Sequence, residues 1–250
     1  FIEDNCVAQG SSLNGVPTGS FGDIGILSFG AGKIIDIGHG GAILTNDKNL
    51  YRSFSNRLNI MNDSFLNNKI FINKVSDFFT RVYNEKFLND YKIDKKFFNL
   101  MSNYKKYYKC QFDSNYFDIL NSELDFLDEN VQYRAKSAAK IQNLLADIEN
   151  ITIFKHSSGE VYWRQNILIE HGRNMLLKHL LKNKYKISSW YPTIEPFFFT
   201  EQNFKKYPSS DFISKRILNI WVNKSVDNHY ISNMTDQIKI FMDQYEPKNK

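Results

Sequence analysis

The sequence predicts an α/β protein in two parts, a first part of short strands and a smaller C-terminal α+β part. Three observations carry that expectation. Short apolar runs separated by glycines fill residues 1–55, an apolar stripe at helical spacing runs through most of residues 116–149, and alternating runs and amphipathic segments follow it. The first domain is placed at 1–112 and the second at 113–250.

The chain opens on Phe1, and "FIED" reads as the end of a strand, so an N-terminal part of the natural fold is expected ahead of it. "GDIGILSFG" (22–30) and "GGAILTND" (40–47) read as short buried strands bounded by turn signals. From 56 to about 112 the chain is rich in Asn, Lys, Phe and Tyr, and reads as a helical insertion with an aromatic face. The sharper reading of that segment is a basic aromatic surface resting on a membrane or an anionic ligand. It would need a regular apolar spacing that the segment lacks.

Leu120, Leu124, Leu127, Val131, Ala135, Ala138, Ile141, Leu145 and Ile148 recur every three or four residues, which predicts one long helix. Glu123, Arg134 and Lys136 fall off its apolar face. "ITIFKH" (151–156) and "VYWRQNILIE" (161–170) alternate like strands, and "RNMLLKHLLKNK" (173–184) reads as a helix. "ISSWYP" (187–192) reads as a strand entering a proline turn, "SKRILNIWV" (214–222) as a strand, and "YISNMTDQIKIFMDQY" (230–245) as a closing amphipathic helix.

Composition narrows the function classes. With 42% hydrophobic and 24% charged residues, the 250-residue chain reads as globular. The net charge of +5 is mild and its lysines are scattered among acids, which gives no nucleic-acid footprint. No apolar run reaches the length of about 18 residues that a membrane helix needs. Cys6 and Cys110 have no metal-ligand spacing, and His156, His171, His179 and His229 fit neither a metal set nor a catalytic triad. No metal is expected, and a reducing cytoplasm is the simplest location.

The chemistry gathers in "SFGAGKIIDIGHGG" (28–41), where Lys33 sits between a serine and several glycines. A lysine there serves as a phosphate clamp, a covalent catalyst or a solvated loop residue. A covalent lysine forms a Schiff base with a carbonyl cofactor, of which pyridoxal phosphate is the usual one. That cofactor needs a carboxylate for its pyridine nitrogen and hydroxyl or N–H donors for its phosphate. Asp4, Ser28 and Lys33 offer those groups in order. Taken singly, Asp4 is a strand-end cap, Ser28 a buried hydroxyl and Lys33 a loop residue; their joint spacing argues for a site.

Residues 1–47 closely resemble the core of the DegT/DnrJ/EryC1/StrS family of sugar aminotransferases, through Glu3-Asp4, Gly22-Asp23, Ser28-Phe29, Lys33 and Gly38-His39-Gly40-Gly41. "ELDFLDENVQYRAKSA", "VYWRQNILI" and "SSWYP" are similar more loosely. The resemblance implies a fold type I pyridoxal-phosphate transferase whose partial large domain holds a mixed sheet, acting on a nucleotide-linked keto-sugar with glutamate as amino donor. It implies that Asp4 faces the pyridine nitrogen, Ser28 the phosphate, and that Lys33 binds the cofactor and moves the proton. A homodimer is implied for the intact protein, and surface-polysaccharide or lipopolysaccharide biosynthesis as its setting. Relatives that are dehydratases carry histidine in place of the lysine, so Lys33 points to amino transfer.

The chain departs from the family pattern at several positions. Val7 stands where Gln, Glu or His approaches the ring, and Gln9, two residues on, is the candidate substitute. His39 replaces a glutamate of the glycine loop, and Lys109 and Gln111 stand near an expected Asn and Arg. Trp163, Arg164 and Trp190 either approach the sugar nucleotide or belong to an aromatic core. Two further readings stand beside the enzyme: a degenerate member that binds a sugar nucleotide or partner without turnover, and a scaffold using residues 56–112.

Overall fold

The computed structural model describes residues 1–61, 111–190 and 207–245, so most of the expected helical insertion lies outside the described residues. These residues divide into two compact units: 1–61 with 111–132 and 157–163, and 133–156 with 164–190 and 207–245.

The first unit is organised by a three-stranded sheet of β1 (Ile2–Asp4), β4 (Ile24–Ser28) and β5 (Gly41–Leu44), in the order β1-β4-β5. β1 runs parallel to β4, with Asp4 opposite Ile26, and β4 runs antiparallel to β5, with Ser28 opposite Gly41. The sheet is therefore mixed, as expected. Between β1 and β4 lies a hairpin, β2 (Ser12–Leu13) and β3 (Val16–Pro17), which the sequence analysis does not identify. Its two-residue loop is Asn14-Gly15, both at positive φ (53° and 81°), the backbone that best matches strand twist in a tight hairpin.

Gly25 is at the centre of this unit. A Cβ there would lie 2.1 Å from the carbonyl oxygen of Gly19, so the loop before β4 packs directly on the strand backbone. Glu3, opposite Gly25 in the sheet, holds the same loop: its carboxylate accepts from the N–H groups of Gly19 (2.6 Å) and Phe21 (3.0 Å). Asn5 completes the fastening, donating to the Thr18 carbonyl (3.1 Å) and accepting from its hydroxyl (2.9 Å).

After β5, Asp47 caps α1 (Lys48–Asn59) by accepting from Asn49 N–H (2.6 Å) and Leu50 N–H (3.1 Å). The far end of α1 is closed by Gln111, whose amide donates to the carbonyls of Leu58 (2.9 Å) and Met61 (3.3 Å). Phe29, Ile35 and Leu120 form the unit's apolar cluster, with Leu27, Ile37, Ala42, Phe112 and Leu127 packed on it.

The single long helix expected from 116 to 149 is two helices. A 3-10 turn (Ser114–Tyr116) leads into α2 (Phe117–Asp125), and α3 (Leu127–Leu145) follows after a break at Phe126 (φ −93°, ψ 8°). The break resets the helical phase, so the buried face of α3 is Arg134, Ser137, Ala138, Ile141 and Leu145, while Ala135 is exposed. Arg134, placed off the apolar face by its charge, is only 2% exposed. A long aliphatic stem allows that burial.

The second unit has an antiparallel sheet in the order β6-β7-β9-β8: β6 (Ile151–Ile153), β7 (Gln165–Ile169), β8 (Ile187–Ser188) and β9 (Ile217–Ile220). Its helices are α4 (Arg173–Lys182), α5 (Pro208–Arg216) and α6 (Asn228–Gln244). The strand expected over 214–222 is shorter, because α5 extends to Arg216. Ile167, Ile169, Leu176, Leu180, Leu218, Ile220, Ile231 and Ile238 are fully buried in its core.

Gly25→Ala is expected to destabilise the protein by about 3 kcal/mol or more, because a backbone oxygen cannot move aside as a flexible side chain can. Urea denaturation measures the loss. Glu3 gives a pH-dependent expectation. The Gly19 N–H, opposed by desolvation and aided by Phe21 N–H, holds its carboxyl below the ordinary 4.5. Its contribution is full above 4.5 and is lost as the pH falls through the lower folded-state value. Thermal melts of wild type and Glu3→Gln should therefore converge as the pH drops through that range.

Candidate active site

The parallel pairing of β1 and β4 brings Asp4 and Ser28 to the same end of adjacent strands. Neighbouring strands lie about 4.8 Å apart and rise about 3.3 Å per residue, and Ser28 is two residues beyond the partner of Asp4. Carboxyl ends of parallel strands are the usual place for ligands in open α/β sheets.

Lys33 follows in a loop whose backbone is tied at most of its positions. Lys33 N–H donates to the Gly30 carbonyl (3.1 Å), Ile37 N–H to the Phe29 carbonyl (3.1 Å) and Phe29 N–H to the Gly40 carbonyl (2.9 Å). The Asp36 carboxylate accepts from Gly32 N–H (2.7 Å) and Gly38 N–H (3.0 Å). From further along the chain, Asn130 donates to the Ile34 carbonyl (2.9 Å) and the Trp163 indole to the Gly32 carbonyl (2.6 Å). Ile34 and Ile35 are each 1% exposed and sink the loop's centre, while Lys33 stays half-buried.

The electrostatics favour an ionised carboxylate. The Cys6 side chain, then the Cys6 N–H (3.0 Å from Asp4 Oδ1), lower the Asp4 carboxyl below its ordinary value; partial burial opposes them, and the charge of Lys33 adds to them. Asp4 is solvent-exposed, and it still senses Lys33. The Cys6 thiol is pushed up to about 11 by burial, then by its hydrogen bond to Asp4 and the charge of that carboxylate, while Lys33 lowers it. The thiol also lies 3.8 Å from the Ile26 carbonyl. One proton serves one acceptor at a time, and the charged carboxylate is the stronger.

Ser28 Oγ accepts only a long contact from Gly30 N–H (3.4 Å), so its O–H has no acceptor among the described residues. Gln9 is 3% exposed and donates to the Ser28 carbonyl (2.7 Å), while its own carbonyl is buried with no partner among the described residues. The structure thus places Gln9 behind Ser28, with its amide donor in use. Val7 is half-buried and offers no polar group. His39 is wedged between Phe112 (ring centroids 5.7 Å) and Tyr116 (4.3 Å), with Nδ1 3.2 Å from the Ile37 carbonyl.

Of the aromatic and basic candidates further on, only Trp163 joins the first unit, through its bond to Gly32. Arg164 is 4% exposed in the second unit, its guanidinium 4.0 Å above the Trp221 ring. Trp190 lies in that unit too, its backbone N–H donating to Asn219 Oδ1 (2.6 Å). Lys109 and Cys110 are outside the described residues. The roles of Gln111, Asn130 and Asp36 as backbone clamps were not signalled by the sequence, since each acts on a carbonyl or N–H that only the fold brings near.

The donor set fits pyridoxal phosphate: an ionised carboxylate for the pyridine nitrogen, a hydroxyl with an unengaged proton for the phosphate, and an amine in the following loop whose charge reaches the carboxylate. Among the described residues, no three His, Cys, Asp or Glu side chains gather in a metal-holding group, and no helix is long and apolar enough to cross a membrane.

The DegT/DnrJ/EryC1/StrS aminotransferase family model matches residues 1–239. GDP-perosamine synthase of Escherichia coli O157:H7 is 50% identical over 50 residues, 20% of this chain and 14% of that protein. Among solved structures, Helicobacter pylori PseC, an aminotransferase involved in the biosynthesis of pseudoaminic acid, superposes with a TM-score of 0.69 at 16% identity, over 98% of this chain and 60% of that one. The E. coli GDP-4-keto-6-deoxy-D-mannose-3-dehydratase with bound hydrated PLP gives 0.61 at 16%, over 94% of this chain and 59% of that one. The chain therefore spans under two thirds of either structure, and these likenesses establish its fold as fold type I.

The Cys6–Asp4 contact sets an expectation for thiol chemistry. With its thiol near 11 rather than the ordinary 9.0, Cys6 has about 100-fold less thiolate at pH 8, so iodoacetamide should modify it slowly. Asp4→Asn removes the negative charge that raises the thiol and weakens its hydrogen-bond acceptor, and should speed the reaction. Peptide mass analysis at Cys6 reads both rates.

Proposed function

The chain belongs to the DegT/DnrJ/EryC1/StrS aminotransferase family, and on that premise we propose that it carries the reactive lysine of a pyridoxal-phosphate site that moves an amino group to a nucleotide-linked keto-sugar. The observation that carries this reading is that Asp4 and Ser28 lie at one end of paired strands β1 and β4, with Lys33 in the loop that follows β4; Asp4 is held below its ordinary value mainly by Cys6, and the charge of Lys33 adds to this. When bound, the cofactor supplies an electron sink and a carbonyl that accepts an amine.

The chain's own residues then have separate tasks. Asp4 holds the proton on the pyridine nitrogen, because a carboxylate lowered in this way stays charged at neutral pH. Ser28 would donate a hydrogen bond from its hydroxyl to the phosphate. Lys33 would hold the cofactor through its amine, and that amine, once free, would be the base for the proton on the donor's Cα. Glutamate is the proposed donor. The fold alone does not separate amino transfer from dehydration, since a dehydratase shares it. Lys33, rather than histidine, favours amino transfer.

A homodimer in the cytoplasm, serving surface-polysaccharide or lipopolysaccharide synthesis, completes the proposal. A second reading is favoured by Val7, which offers no polar group where the family resemblance implies a polar contact to the ring. In that reading the chain binds a sugar nucleotide or a partner without turnover.

One experiment separates the two. The protein is incubated with pyridoxal phosphate, reduced with borohydride and digested, and the pyridoxyl mass is sought on each lysine. The proposed function expects it on Lys33 in the wild type, and loss of that adduct in Lys33→Ala. No adduct on Lys33 in the wild type supports the non-catalytic reading and overturns the first.

A further inference from the structure

Lys33 sits in a loop that has no ladder of its own, so something outside the loop must fix where its amine can reach. We propose that Trp163 is a positioning residue for Lys33, its indole N–H holding the peptide group that joins Gly32 to the lysine. The inference rests on the reading of Lys33 as the covalent lysine.

Gly32 adopts φ +80°, a left-handed conformation that a residue with a Cβ rarely takes, and this turn sets the direction in which Lys33 leaves the backbone. The contacts from Asp36 and from the Gly30 carbonyl belong to the same loop. They fix its shape and travel with it. Two hydrogen bonds from distant parts of the chain fix its place. Trp163, 131 positions away, takes the Gly32 carbonyl just before the lysine; Asn130, 96 positions away, takes the Ile34 carbonyl just after it. Lys33 is bracketed by these two bonds.

Trp163 is itself anchored. Val161 N–H donates to Ser11 Oγ (2.9 Å) and Ser12 N–H to the Gly159 carbonyl (2.7 Å), so residues 157–163 are fastened to the segment that follows Asp4. The indole therefore ties the lysine loop to the stretch of chain that carries the carboxylate. A reacting amine displaced by about 1 Å loses on the order of 100-fold in rate. An indole N–H on a peptide carbonyl supplies such a restraint without touching the reacting atoms.

The test is Trp163→Phe, which keeps an aromatic ring and removes the N–H, against Ile238→Val, a core change in the second unit that lowers stability without touching the loop. Pyridoxal phosphate is the probe. Three quantities are read: hydrogen exchange of the Gly32–Ile34 amides without the probe, the rate at which borohydride-fixable label appears on Lys33, and the visible circular dichroism per mole of that label. Trp163→Phe is expected to speed local exchange and slow labelling, each about tenfold, and to at least halve the dichroism, which reports how the lysine holds the chromophore. Ile238→Val should change none of these at an equal loss of Tm. Wild-type labelling and dichroism in Trp163→Phe, or the same changes in both variants, overturn the proposal while leaving the cofactor reading intact. Absence of label on wild-type Lys33 overturns the cofactor reading, and this one with it.

Discussion

The candidate site depends first on the parallel pairing of β1 with β4. It is a short pairing, three residues on the β1 side, yet it sets which groups face each other: Asp4 lies opposite Ile26, and Asn5 N–H continues the ladder to the Ile26 carbonyl (2.9 Å). A slip of one residue would turn Asp4 to the other face of the sheet. The register is protected by contacts that tolerate no slip. Gly25 accepts the Gly19 carbonyl against its bare backbone, and Glu3, its partner across the pair, holds the two N–H groups of that loop. The same small region therefore specifies both a fold contact and the placement of a functional carboxylate.

Around that pair the protein uses polar side chains as backbone clamps. Glu3, Asn5, Asp36, Gln111, Asn130 and Trp163 each satisfy N–H or carbonyl groups that no helix or strand covers. Each clamp defines one loop position, and where the group it meets is buried it also avoids the cost of leaving that group unpaired, about 1–3 kcal/mol. Gln9 does this for the Ser28 carbonyl and leaves its own carbonyl buried without a partner among the described residues. That arrangement exchanges one unsatisfied group for a fixed strand end. The loops of the first unit are thereby ordered with little regular secondary structure.

Much of the fold was legible because its signals are local. The strands around "GILS" and "GAIL", α4 and the closing helix α6 follow from apolar runs and periodicity, but "GAIL", expected to be buried, has Ile43 and Leu44 exposed. The break at Phe126 was not legible, since the three-to-four spacing of apolar residues continues through it, and a helix that changes direction keeps the same letters. Arg134 shows the matching error in burial: its charge places it outside in a pattern, while its stem and its phase in α3 place it inside. Asn14-Gly15 is the opposite case, a strong hairpin signal present in the letters and overlooked among stronger ones.

By itself the sequence determined the identities and order of Asp4, Ser28 and Lys33, because their chemistry and spacing lie within one short stretch and a motif is a local property. It determined the glycines too, which permit close backbone approach where side chains would collide. The tertiary structure alone decided that the Gly32 carbonyl meets an indole 131 positions away, that Gln9 turns behind Ser28, and that Arg164 packs on Trp221 in the second unit. Those pairings join residues far apart in the chain through hydrogen bonds and ring contacts whose energies depend on distances of a few tenths of an ångström. No periodicity records such distances, so only the folded backbone could choose them.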